Sequence, residues 1–110
     1  MKTSIIATIV IILAVLVFAQ SSKVRNGTGA TIFQEQCIVC HGPDGRAQNE
    51  RGTKVGAADL TSDTVQEQSD SQLWKIVHEG QRKMPAFEGK LTDEEINAVI
   101  GYIRQLAKKK

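Results

Sequence analysis

Cys37-Ile38-Val39-Cys40-His41 is the segment that most narrows what this 110-residue chain can become. Residues at i and i+3 are neighbours on one side of a helical turn, so the two thiols share a face, and the imidazole follows at once. A planar macrocycle carrying two vinyl groups can bond to both sulfurs as thioethers. The adjacent imidazole then lies beneath its iron, which is the covalent haem-attachment pattern. A chain built this way leaves the redox chemistry to the cofactor and contributes ligands, burial and electrostatics.

Other uses of two closely spaced cysteines fit less well. A thioredoxin-like site expects strand-helix-strand patterning, and no strand pattern appears. Structural zinc expects four nitrogen or sulfur donors around one ion. Beyond the motif only His78 remains to complete such a set, and Cys40 and His41 are adjacent in sequence.

Much of the chain's hydrophobicity lies in residues 5 to 19, so the remainder has a thin core for its size. Its aromatics are Phe33, Trp74, Phe87 and Tyr102. Domains this small often need a covalent or metal staple, and haem adds a broad apolar surface for helices to pack on. The chain is one domain by length, and its formal charge of +2 is not the footprint of a nucleic-acid-binding protein. The basic excess sits in Lys108-Lys109-Lys110, a terminal tail.

Residues 1–22 read as an export element. Lys2 supplies a positive start, Ile5 to Ala19 form an apolar run, and Val17-Phe18-Ala19 precedes Gln20 in the manner of a signal-peptide cleavage site. The competing reading is an uncleaved anchor, because the uncharged stretch 3–22 matches the length that crosses a bilayer. Either way the cysteines lie outside the cytoplasm, in the periplasm or on the outer side of a membrane. Residues 23–28 form a linker, 29–107 the domain and 108–110 the tail.

Within the domain the expected class is all-α. Thr28 is an N-cap candidate for a helix running through Cys40, with Ala30, Phe33, Cys37 and Cys40 as its apolar stripe. Gly42 to Ser62 is punctuated by glycines and reads as a loop wrapped on the haem edge. Ser69 with Gln72 matches a capping box that opens a second helix, ended at Gly80. Trp74 and His78 sit one turn apart on its flank. Thr92 with Glu95 caps the last helix, Leu91 and Ile96 staple it, and Ile96, Val99, Ile100, Ile103 and Leu106 form its buried face.

The sixth iron ligand comes from a short menu. Met84 sits in the loop Gln81-Arg82-Lys83-Met84-Pro85, where proline biases it toward an extended backbone. Met84 is the expected ligand, with His78 or an open site as alternatives. His78 otherwise reads as a solvent-facing or propionate-side imidazole. The other ring N–H of His41 needs an acceptor, which the loop after Gly42 must supply.

On these residues the chain resembles the small class I cytochromes c of the bacterial and photosynthetic electron-carrier kind. The resemblance runs from about Gly29 to Leu106. It rests on Gly29 and Phe33 before Cys37-Ile38-Val39-Cys40-His41, on Leu73 to Gly80, on Lys83-Met84-Pro85-Ala86-Phe87, and on Leu91 to Ile96 leading to Tyr102-Ile103. It implies a small cytochrome c fold, three main helices and loops around one haem c held by two thioethers, with His41 and Met84 as axial pair. It also implies a crossing of the first and last helices at Gly29, Phe33 and Tyr102. Where many members carry Gly-Pro near the carbonyl that accepts from the proximal histidine, this chain has Gly56-Ala57-Ala58.

The function so implied is one-electron transfer between redox partner proteins, without a catalytic residue and without nucleic acid. Residues 3–22 are a possible membrane tether. A haem subunit of a larger membrane oxidoreductase and a haem peroxidase are the alternatives.

Overall fold

The structure, a computed structural model, describes residues 28–109. The expected export or anchor segment 1–22, nearly all of the linker 23–28, and Lys110 lie outside the described residues. Among the described residues six helices follow in order: α1 Gly29–Gln36, α2 Ile38–His41, α3 Glu50–Val55, α4 Asp63–Gln66, α5 Asp70–Glu79 and α6 Asp93–Lys108. Among the described residues there is no strand, only a single antiparallel bridge between Gln81 and Met84. The all-α class therefore holds among the described residues.

The start signals work as expected. The Thr28 side chain accepts the Thr31 N–H, and both capping boxes close: Ser69 with Gln72 and Thr92 with Glu95. Each satisfies two backbone donors that the first turn of a helix leaves unpaired.

α6 organises the interior because it presents two stripes. Ile96 and Ile100 join Val65, Leu73, Val77 and Phe87 in one cluster, toward α5. Val99, Ile103 and Leu106 join Ile32 and Phe33 in another, toward α1. Leu60 and Leu91 touch both clusters. Burying a side chain of this size contributes about 1.5–3 kcal/mol, so this double stripe is the chief cohesive element of a small fold.

α1 crosses α6 at backbone contact. A Cβ at Gly29 would collide with the Ala98 carbonyl oxygen, so only glycine fits. Beside the crossing, the Phe33 and Tyr102 rings lie 5.2 Å apart and tilted by 55°, a favourable aromatic geometry.

Two expectations need correction. The first helix does not continue unbroken to Cys40. It ends at Gln36, and the short α2 follows Cys37, whose carbonyl accepts both the Cys40 N–H at 3.2 Å and the His41 N–H at 2.9 Å. This shared acceptor tightens the turn that carries the motif.

The second correction concerns Gly42 to Ser62, which is not helix-free. It contains α3, capped by the Asn49 side chain on the Gly52 N–H and closed by Gly56 in the left-handed region. Gly52 is its sole buried residue. α3 therefore shows no apolar periodicity and stands on its caps.

Candidate haem site

α2 carries Cys37, Cys40 and His41 together at its tight turn. Both cysteines are free and half-buried. Burial, with a smaller effect from Cys40, pushes the Cys37 thiol up to about 11, so at neutral pH it is protonated. Among the described residues no group of three or more His, Cys, Asp or Glu side chains is disposed to hold a metal ion. Val39, between the thiols, is 60% exposed, so the attachment turn lies at the surface.

His41 Nδ1 donates to the Ala58 carbonyl at 2.9 Å. Burial lowers the pKa of the imidazole below its ordinary 6.5, and the Ala58 bond opposes that shift in part. The ring is thus held neutral with its proton on Nδ1, which leaves the Nε2 lone pair for a metal. Ala58 is the acceptor that the sequence required of this loop without naming it, and it serves from within Gly56-Ala57-Ala58.

Three further carbonyls of the turn have partners as well. Ile38 receives the Gly42 N–H at 2.9 Å, and His41 receives the Ala47 N–H at 2.8 Å. Val39 has no such partner at i+4, because Pro43 lacks an N–H. Asn49 fills that gap: its Nδ2 donates to Val39 at 3.2 Å and to Ile38 at 3.0 Å, while its Oδ1 accepts from Gly52 at 2.7 Å. Gly52 lies so close to the turn that a Cβ would collide with the Cys40 carbonyl oxygen. Sequence reasoning missed Asn49. The available signal was an N-cap residue directly ahead of Glu50 and seven residues before a terminating glycine.

Met84 comes from a separate element, the hairpin beyond α5. Gln81 and Met84 exchange backbone hydrogen bonds of 3.2 and 2.9 Å, closing a turn with Arg82 and Lys83 at its tip. Arg82 sits at φ 52°, a conformation that side chains enter at a cost. Gly80 permits the fold-back, since a Cβ there would come within 2.7 Å of the Met84 carbonyl oxygen. Met84 itself is half-buried against the α5 cluster.

His78 is not solvent-facing. It is half-buried and stacks on Trp74, with centroids 4.3 Å apart and planes at 17°. Its Nδ1 is buried with no hydrogen-bond partner among the described residues.

The family described as "Cytochrome C oxidase, cbb3-type, subunit III" matches residues 25–103. The chain belongs to the class I c-type cytochromes. Cytochrome c6 of Parathermosynechococcus lividus is 31% identical over 74% of this chain and 90% of its own length. Cytochrome c6 of Thermosynechococcus vestitus is 29% identical over 99% and 96%. The Cbb3-type cytochrome c oxidase subunit FixP of Bradyrhizobium diazoefficiens is 35% identical over 71% of this chain, which spans about a quarter (26%) of FixP. Among solved structures, the KustC0563 c-type cytochrome superposes with a TM-score of 0.67 at 30% identity, over 72% of this chain and 96% of that one. This cytochrome is accordingly an electron-transfer protein of a family whose cofactor is covalent haem c, and its partners are redox proteins.

Proposed function

We propose that this cytochrome carries one haem c, bonded as thioethers to Cys37 and Cys40, with His41 and Met84 as axial ligands, and that it shuttles single electrons between redox proteins outside the cytoplasm. The observation that carries the reading is the His41–Ala58 hydrogen bond at 2.9 Å. It consumes Nδ1 and presents Nε2 as a neutral donor. When bound, the haem supplies an iron that alternates between Fe(II) and Fe(III).

The chain's own residues do the rest. Met84 offers a soft sulfur that favours the reduced metal. Two protein ligands leave no position for a substrate, which is why a carrier is favoured over a peroxidase. Val39 keeps the attachment turn at the surface, and the exposed Arg82 and Lys83 beside Met84 give weak steering toward acidic partners, with Glu79 and Glu88 offsetting them. Met84 is preferred to His78 as sixth ligand because it sits in the hairpin beyond α5, before a proline that biases it toward an extended backbone, whereas His78 lies within α5.

The test is one purified sample examined by intact mass and by optical spectrum. One haem added to the polypeptide mass and a low-spin ferric spectrum with a methionine charge-transfer band are expected. A high-spin ferric iron would favour the peroxidase instead. The family match to an oxidase subunit supports a second reading, a subunit of a membrane complex tethered through residues 3–22. A purified chain retaining those residues would favour it, and loss of residues 1–19 would favour a diffusing carrier. No helix among the described residues is long and apolar enough to cross a membrane.

A further inference from the structure

We propose that Asn49 is a positioning residue for the redox centre: its side-chain amide ties α3 to the Cys37–His41 turn and thereby holds the Ala58 carbonyl against His41. The inference rests on the reading of His41 as an iron ligand.

α3 touches the haem-attachment turn at both ends. At its start, Asn49 Nδ2 donates to the Ile38 and Val39 carbonyls, at 3.0 and 3.2 Å. At its finish, Gly52 accepts the Ala57 N–H at 2.9 Å, and the next residue, Ala58, accepts from His41 at 2.9 Å. Between the two ends, Asn49 Oδ1 holds the Gly52 N–H at 2.7 Å. Thr53 adds its backbone N–H and its hydroxyl to the Asn49 carbonyl, at 3.0 and 2.9 Å. Three hydrogen-bonded links and the Ala57–Ala58 peptide bond therefore lead from the carbonyls between the two cysteines to the acceptor of the proximal ring.

Chemistry gives asparagine a reason to stand here. The Val39 carbonyl has no backbone donor at i+4, because residue 43 is proline, so a side chain or water has to satisfy it, and Asn49 does so at 3.2 Å. The helix start needs an acceptor at the same residue. One amide supplies both at once, with two N–H donors and an oxygen, whereas aspartate supplies only the acceptor and serine a single O–H on a shorter side chain. α3 has a single buried residue, Gly52, so packing does not replace the tie.

The consequence is electronic. A firm Nδ1–H···O=C bond makes the imidazole a stronger donor and so stabilises Fe(III). Releasing α3 from the turn lets the Ala58 carbonyl drift, weakens that bond, and shifts the equilibrium toward Fe(II).

The experiment compares wild-type holoprotein with Asn49→Ser, which retains the cap, and Asn49→Ala, which lacks it. In a redox buffer poised at the wild-type midpoint, Asn49→Ser is expected to raise the reduced-to-oxidised ratio about threefold or more. Its His41 ring proton, followed by NMR, is expected to exchange faster with solvent. Asn49→Ala is expected to go further in both. An unchanged ratio and ring-proton exchange in Asn49→Ser overturn the proposal. If the serine variant does not fold, Asn49→Asp, isosteric and cap-competent, is read by ring-proton exchange alone because its charge perturbs the potential; wild-type exchange there overturns the proposal equally. Failure of the wild-type protein to show a nitrogen-ligated haem would instead overturn the ligation reading.

Discussion

The two expected axial ligands are held in contrasting ways. His41 lies in a harness: its carbonyl takes the Ala47 N–H, its ring donates to Ala58, and the carbonyls just before it are bonded by Asn49. Met84 hangs on a two-residue turn closed by one pair of backbone bonds, with Arg82 at positive φ. The contrast teaches that one side of the proposed redox centre is built for fixity, while the other leans on apolar packing against the cluster that includes Val77 and Phe87. A thioether accepts no strong hydrogen bond, so nothing comparable to the histidine harness is available to it.

The largest test of this difference is to remove each ligand. His41→Ala is expected to abolish low-spin haem ligation, whereas Met84→Ala is expected to keep the haem attached and low in potential. Its oxidised-to-reduced ratio in a fixed redox buffer should rise more than about tenfold. Optical spectra and redox titration of both variants check the pair, and equal loss of ligation in the two would erase the asymmetry.

Next in size are the two glycines on which the ligands depend. Gly52→Ala drives a methyl into the Cys40 carbonyl, and Gly80→Ala drives one toward the Met84 carbonyl from a backbone at φ 72°. Each is expected to lose about 2–3 kcal/mol in denaturant titration. If the harness is the stiffer region, Gly52→Ala costs at least as much as Gly80→Ala.

Acid gives an intermediate effect. Burial holds the protonation of His41 below its usual 6.5. In the chain without haem the unfolded state therefore takes up the proton first, and stability declines as pH falls from about 6.5 toward the lower folded value; bound iron would carry this limb lower still, because it competes with the proton for Nε2. The thioether has no proton to gain in this range. An absorbance titration should therefore show Met84→Ala losing its remaining haem ligation along the same acid limb as the wild type. A limb that moved with Met84 would place the acid-sensitive ligand on the other side.

The smallest effects come from relieving strain. Ala47, at φ 56°, serves the harness, and Arg82, at φ 52°, serves the hairpin. Glycine at either position removes a left-handed penalty of about 1 kcal/mol. Ala47 is buried and loses its methyl contacts too, so Arg82→Gly is expected to gain more in thermal unfolding than Ala47→Gly.

Much of this was legible beforehand, and for local reasons. The caps at Thr28, Ser69 and Thr92, the end of α5 at Gly80 and the stripe on α6 are each specified by residues within a few positions of one another. Capping and periodicity act at that range. α3 was not legible, because a six-residue helix with one buried glycine carries no apolar pattern. Its reason for existing lies across space, in the carbonyls of Ile38, Val39 and Cys40.

The class of redox chemistry was thus legible in the sequence alone. Two thiols and an imidazole at fixed spacing admit few cofactors, and Met84, in a loop before a proline, is the sixth ligand proposed from it. Only the tertiary structure decided that Ala58 accepts from His41, that Asn49 braces the turn, and that His78 stacks on Trp74 instead of facing solvent. Those are contacts between residues 4 to 17 positions apart along a chain that bends at Gly42, Gly45 and Gly56, and the direction in which a backbone carbonyl points is written in no side chain.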